Sequence, residues 1–76
     1  MKKISLVNLK AGNKGKVCDI LGGGRLEGKL MSMGIYRDKE ISKLSHIGLR
    51  GPVVIKSGRT ILALGHGIAE KIIVGV

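Results

Sequence analysis

From Gly15 to Leu21 the chain reads Gly-Lys-Val-Cys-Asp-Ile-Leu. Alternation over a β-prone run of this length predicts a half-buried strand, with Val17, Asp19 and Leu21 on one face and Cys18 and Ile20 on the other. The stretch 40–45 carries a weaker form of the same signal. PVVIK (52–56) and RTILAL (59–64) carry a strong one, and KIIVGV (71–76) closes the chain as a last strand. Between the two strong runs stands Ser57-Gly58, a pair that reads as a tight hairpin turn.

After the first strand the period changes. Leu26, Leu30 and Met33 fall at i, i+4 and i+7, one face of a short helix with Gly34 as its stop signal and Gly22 to Gly24 as the turn into it. At about 100° per residue, Met31 lies off that stripe on the flank shared with Glu27, while Arg25 and Lys29 share the opposite flank. Five short strands, one helix inserted after the first, and a chain too short for a sandwich predict an all-β fold, a small closed or nearly closed five-stranded barrel. No repeat or linker composition divides residues 1–76, which read as a single domain.

Composition agrees with this architecture. Thirteen glycines in 76 residues argue against a helical bundle, because each interior glycine costs a helix about 1 kcal/mol relative to alanine. Cys18 is the single cysteine, so no internal disulfide and no cysteine pair for structural zinc can form, which fits a reducing, cytoplasmic setting. The amino-terminal apolar stretch is interrupted by Ser5, Asn8 and Lys10 before a signal-peptide core develops, and no apolar run approaches the length of a bilayer span, so no membrane insertion is expected.

Fourteen Lys and Arg against five Asp and Glu give a formal net charge of +9, which favours an acidic partner. The charges are spread from Lys2 to Lys71, and Tyr36 is the only aromatic residue. Stacking platforms for single-stranded nucleic acid and grooves for proline-rich peptides are both built from aromatics, so neither reading is well supported.

Residues 23–30, GGRLEGKL, come close to the phosphate-binding loop G-x-x-x-x-G-K-[ST], with Gly23, Gly28 and Lys29 in place. The hydroxyl that would ligate magnesium is replaced by Leu30, and 76 residues cannot hold the parallel sheet that such a loop serves. No G-x-S-x-G is present and no histidine neighbours Cys18, so no enzymatic reading is carried. His46 and His66 are weak candidates for a divalent metal, since they are far apart in sequence and share no ligand spacing with Cys18 or the acids. Met31 and Tyr36 as apolar contacts, with Arg25, Lys29 and Arg37 as a charged surround, form a candidate partner-binding edge on the inserted helix.

The succession Leu6-x-x-Leu9-x-x-Gly12-x-x-Gly15-x-Val17, Leu30-x-x-Met33-Gly34-Ile35, Gly51-Pro52-Val53 with Gly58, Ile61-Leu62-Ala63-Leu64-Gly65 and Ala69-x-x-Ile72-x-Val74 resembles the ferrous iron transport protein A family, FeoA, nearly end to end. The resemblance implies an SH3-like five-stranded barrel with a small helical insertion. It also implies a cytoplasmic accessory protein of bacterial ferrous iron uptake, without catalysis of its own, that binds the cytoplasmic portion of the FeoB permease. Any GTP-binding loop would then belong to that partner. Where the family often has Pro-Gly after the Leu-Gly-Leu motif, this chain has Arg37-Asp38; aspartate tolerates the left-handed conformation such a turn requires. The barrel is also similar to the C-terminal domain of iron-dependent repressors, although nothing here resembles their DNA-binding part. A basic nucleic-acid-binding barrel, a metal-binding sensor domain and weak self-association stay open as alternatives.

Overall fold

The computed structural model describes residues 2–48 and 50–76. Along the chain they form β1 (Lys3–Ser5), a 3-10 turn (Leu6–Asn8), β2 (Lys14–Ile20), α1 (Gly24–Ser32), β3 (Glu40–His46), β4 (Val53–Ser57), β5 (Thr60–Leu64), α2 (His66–Glu70) and β6 (Ile72–Gly75). All strands pair antiparallel in one sheet of order β1-β6-β2-β3-β4-β5. The sheet wraps around a core that includes Leu6, Val17, Leu30, Ile35, Ile41, Ile55, Ile72 and Val74.

The structure corrects the sequence reading at several points. Among the described residues there are six strands rather than five, because Lys3–Ser5 adds to β6, and Lys2 and Val76 clasp through Lys2 N–H to Val76 O and Val76 N–H to Lys2 O. Where the sequence reading gives a single helix, Gly65-His66-Gly67 opens a second, the short α2. The hairpin turn sits one residue later than expected: Ser57 already pairs with Thr60, so Gly58 and Arg59 form the connection, with Gly58 at φ 61°.

The expected alternation in the first long strand also fails, for an identifiable reason. Val17 pairs with Val74 but Asp19 pairs with Ile73, so Cys18 is squeezed out as a β-bulge. Residues opposite one another across a ladder share a face. Val17 opposite Val74 and Ile20 opposite Ile72 therefore both face the core, and Leu21, expected to share a face with Val17, is exposed. A second bulge lies on β3, where Lys43 pairs with Ile55 but Ser45 pairs with Val54. Leu44 is the extra residue and is exposed, while Lys43 opposite Ile55 and His46 opposite Val53 both turn inward.

The inserted helix follows its stripe. Leu30 is fully buried, and Leu26 and Met33 pack against the core. Its end is a Schellman motif: Gly34 N–H bonds to Met31 O at 3.0 Å and Ile35 N–H to Leu30 O at 2.9 Å, with Gly34 at φ 90°. Leu30 and Ile35, the residues bracketing that motif, are both fully buried, which fixes how the chain leaves the helix. Asp38 takes a left-handed φ of 74°, so the Arg37-Asp38 turn exists without glycine.

Candidate functional site

The five residues of the expected docking edge lie on α1 and the loop that follows it. Met31 is 57% exposed and Tyr36 40% exposed. Arg25 and Lys29, at i and i+4 on α1, are exposed, and no ion pair among the described residues involves either of them. The two unpaired cations stand one turn apart on one flank of α1, and exposed Met31 stands on the other flank.

Arg37 is different. Its guanidinium bonds Glu27 Oε1 at 3.1 Å and Asp19 Oδ1 at 3.0 Å, so it braces the loop against both α1 and β2. The hydrogen bond and charge of Glu27, and then the charge of Asp19, raise its already high pKa. The side chain expected in the charged surround is thus paired within the chain, whereas Arg25 and Lys29 make no ion pair among the described residues.

The histidines that sequence separates are brought together. Their rings lie 5.7 Å apart between centroids and are tilted by 33°. His46 stands on β3 beside Lys43, a residue only 2% exposed, whose ammonium donates to Leu6 O, Val7 O and His46 Nδ1 at 3.2, 3.0 and 3.2 Å. His66 opens α2, with its Nε2 at 3.7 Å from Glu70 Oε2. Burial, then Lys43 and His66, hold His46 below its ordinary pKa, and burial lowers that of Lys43. Among the described residues no group of three or more His, Cys, Asp or Glu side chains converges to hold a metal ion. Cys18 is half-buried at its bulge, its Sγ 3.5 Å from the carbonyl of Lys16.

A basic cleft that sequence reading missed lies across β2, β3 and β4. Its volume is about 430 Å³ and its lining includes Lys14, Lys39, Ser42 and Lys56, with Glu40 as the one acid. Lys14 pairs with Ser42 and Ser42 with Lys56, so these three side chains form one row across three strands. Only strand register brings these lysines together; nothing in their sequence spacing announces it.

Fold and surface together define a small SH3-like β domain that carries an exposed helical insertion, and no helix among the described residues is long and apolar enough to cross a membrane. The FeoA domain model matches residues 4–76, and the chain belongs to the FeoA family, whose members are associated with iron transport. The crystal structure of an iron uptake regulatory protein (FeoA) is 33% identical, with 99% of this chain and 97% of that one covered and a TM-score of 0.87. A FeoA-like protein from Clostridium acetobutylicum is 29% identical over 100% of this chain and 88% of its own, with a TM-score of 0.85. A Stenotrophomonas maltophilia FeoA complexed with zinc, described as an SH3 domain protein, shares the fold at 18% identity and a TM-score of 0.79, over 95% of this chain and 89% of its own. No curated protein matches the chain.

Proposed function

We propose that this chain is a cytoplasmic accessory protein of bacterial ferrous iron uptake that acts as an interaction module on the cytoplasmic portion of the FeoB permease, without a catalytic step of its own. Family membership supports the iron-uptake setting. The observation that carries the docking role is the unpaired Arg25–Lys29 couple on α1 together with exposed Met31 and Tyr36. Arg25, Lys29 and Met31 stand on α1, which buried Leu30 ties to the core, so little ordering entropy is lost when a partner binds.

The test is a binding titration against the purified cytoplasmic GTPase domain of the same organism's permease, with nucleotide present, at low and moderate salt. Saturable binding that weakens with salt is the expected result, because exposed cations steer association through a screened field. Absence of binding at both salts removes that domain as the docking site.

A further inference from the structure

Gly15, Ile41 and Ser57 pair across β2, β3 and β4 and are all buried. Successive side chains on a strand point to opposite faces, so their neighbours Lys14, Ser42 and Lys56 turn outward. These three also pair in register, in a row about 10 Å wide from the first backbone to the third. The lysine stem is long and flexible, so both ammoniums can reach the space above half-buried Ser42.

Lys39 joins them from the position just before β3. Its Nζ stands 3.6 Å from where a Cβ at Gly58 would lie, so this ammonium rests against the β4–β5 turn. Gly58, at φ 61° and without a side chain, keeps that side of the cleft open. Glu40 is the one acid in the lining, and no ion pair among the described residues involves it or any of the three lysines.

The lining itself narrows the ligand. Among the described residues it holds no arginine fork to fit a carboxylate, and no aromatic or aliphatic side chain to anchor a protein partner or stack a base. Lysine ammoniums bind phosphate as compact point charges, and the serine hydroxyl adds a neutral donor. Three positive charges against one negative suit a ligand with negative charge on several neighbouring groups.

We propose that this cleft of about 430 Å³ binds a compact oligophosphate, as carried by a free nucleoside di- or triphosphate, with Lys14, Lys39 and Lys56 neutralising the phosphates, the Ser42 hydroxyl donating to one of them, and the base left unread. The Glu40 carboxylate opposes a single small anion placed beside it, whereas a chain of phosphates meets all three ammoniums and outweighs it. The near-match to a phosphate loop at residues 23–30 plays no part, because none of those residues lines the cleft. No residue is shared with the α1 patch either, so phosphate binding and permease docking are tested separately.

The experiment is a titration of the full chain with magnesium-free ATP, GTP, pyrophosphate and inorganic phosphate, followed by ¹⁵N amide shifts. Salt is held at about 0.1 M, where exposed charges more than about 10 Å apart are largely screened. Saturable shifts confined to residues 14, 39–42 and 56–59 are expected, alike for ATP and GTP and about tenfold tighter than for inorganic phosphate. Lys14→Gln and Lys56→Gln, at exposed positions, should each weaken ATP about threefold and together about tenfold. Lys71→Gln removes the same charge beside Leu21, about 20 Å along β2 from Lys14, and should leave the affinity unchanged. Absent or scattered shifts, equal affinity for inorganic phosphate and ATP, a preference for one base, or indifference to both cleft variants would overturn the proposal. So would duplex DNA that displaces ATP and weakens in the same variants, which would make the cleft part of a nucleic-acid surface instead.

Discussion

Ser57 Oγ donates a 2.7 Å hydrogen bond to the carbonyl of Gly34, joining a buried position on β4 to the residue that ends α1. Gly34 lies just past the helix cap, and its carbonyl takes its partner from a strand side chain. Ser57→Ala leaves that carbonyl unpaired and is expected to lower stability by about 1–2 kcal/mol. Urea unfolding should show a lower midpoint with an unchanged m-value.

Gly15 is buried on β2, and a methyl group added there would approach Val74 Cβ to 2.9 Å on the neighbouring strand β6. Gly15→Ala is therefore expected to cost about 1–3 kcal/mol as overpacking. Thermal unfolding of the variant checks it, with Gly28→Ala as a control on the helix surface, where an added methyl meets nothing within 4 Å. The control should be neutral or stabilising, because alanine has the higher helix propensity.

Arg37 and the Arg25–Lys29 couple should separate in a binding assay. Reversing Arg25 and Lys29 to Glu, together with Met31→Ala, is expected to weaken permease binding by about tenfold or more while leaving thermal stability almost unchanged. Arg37→Ala is expected to loosen the loop braced by Asp19 and Glu27, read as faster amide exchange at Asp38 and Lys39. Unchanged affinity in the triple variant removes the α1 patch as the docking surface.

Lys43→Met removes a buried ammonium and leaves two carbonyls and an imidazole nitrogen without their donor. The expected loss is about 2–3 kcal/mol, the residue of several unpaired groups set against easier burial of the side chain. Equilibrium denaturation near neutral pH is the measurement.

The basic cleft offers a charge test. Lys56→Glu, in the row with Lys14 and close to Lys39, is expected to raise stability by about 0.2–0.5 kcal/mol at low salt and by less at high salt. Denaturation at two ionic strengths distinguishes this from a packing effect, which salt would not diminish.

Much of this architecture was legible in the residues. The runs around Val17, Ile55 and Ile61 announce strands, and the Leu26-Leu30-Met33 spacing announces α1, because burial of one face imposes its period on the sequence. What escaped is what periodicity cannot carry. β1 is three residues long and gains its pairing from the opposite end of the chain. α2 begins between two glycines and is only five residues long, too short to show a helical period, and its place is set by burial of Ala69. The meeting of His46 with Lys43 depends on the bulge at Leu44, and with His66 on the return of the chain through α2, so no local spacing signals either contact. Exposure of Met31 could be expected from the helical wheel; the commitment of Arg37 to Asp19 and Glu27 could not.

The two bulges leave a signature that a library of variants would display without any structure. On β2 the intolerant positions should run 15, 17, then 20, and on β3 they should run 41, 43, then 46. Each series takes steps of two and then a step of three, with the squeezed-out Cys18 and Leu44 falling inside the longer step. A strand of strict period two cannot give that rhythm, so a phase slip in the map of permitted substitutions would locate each extra residue to within one position.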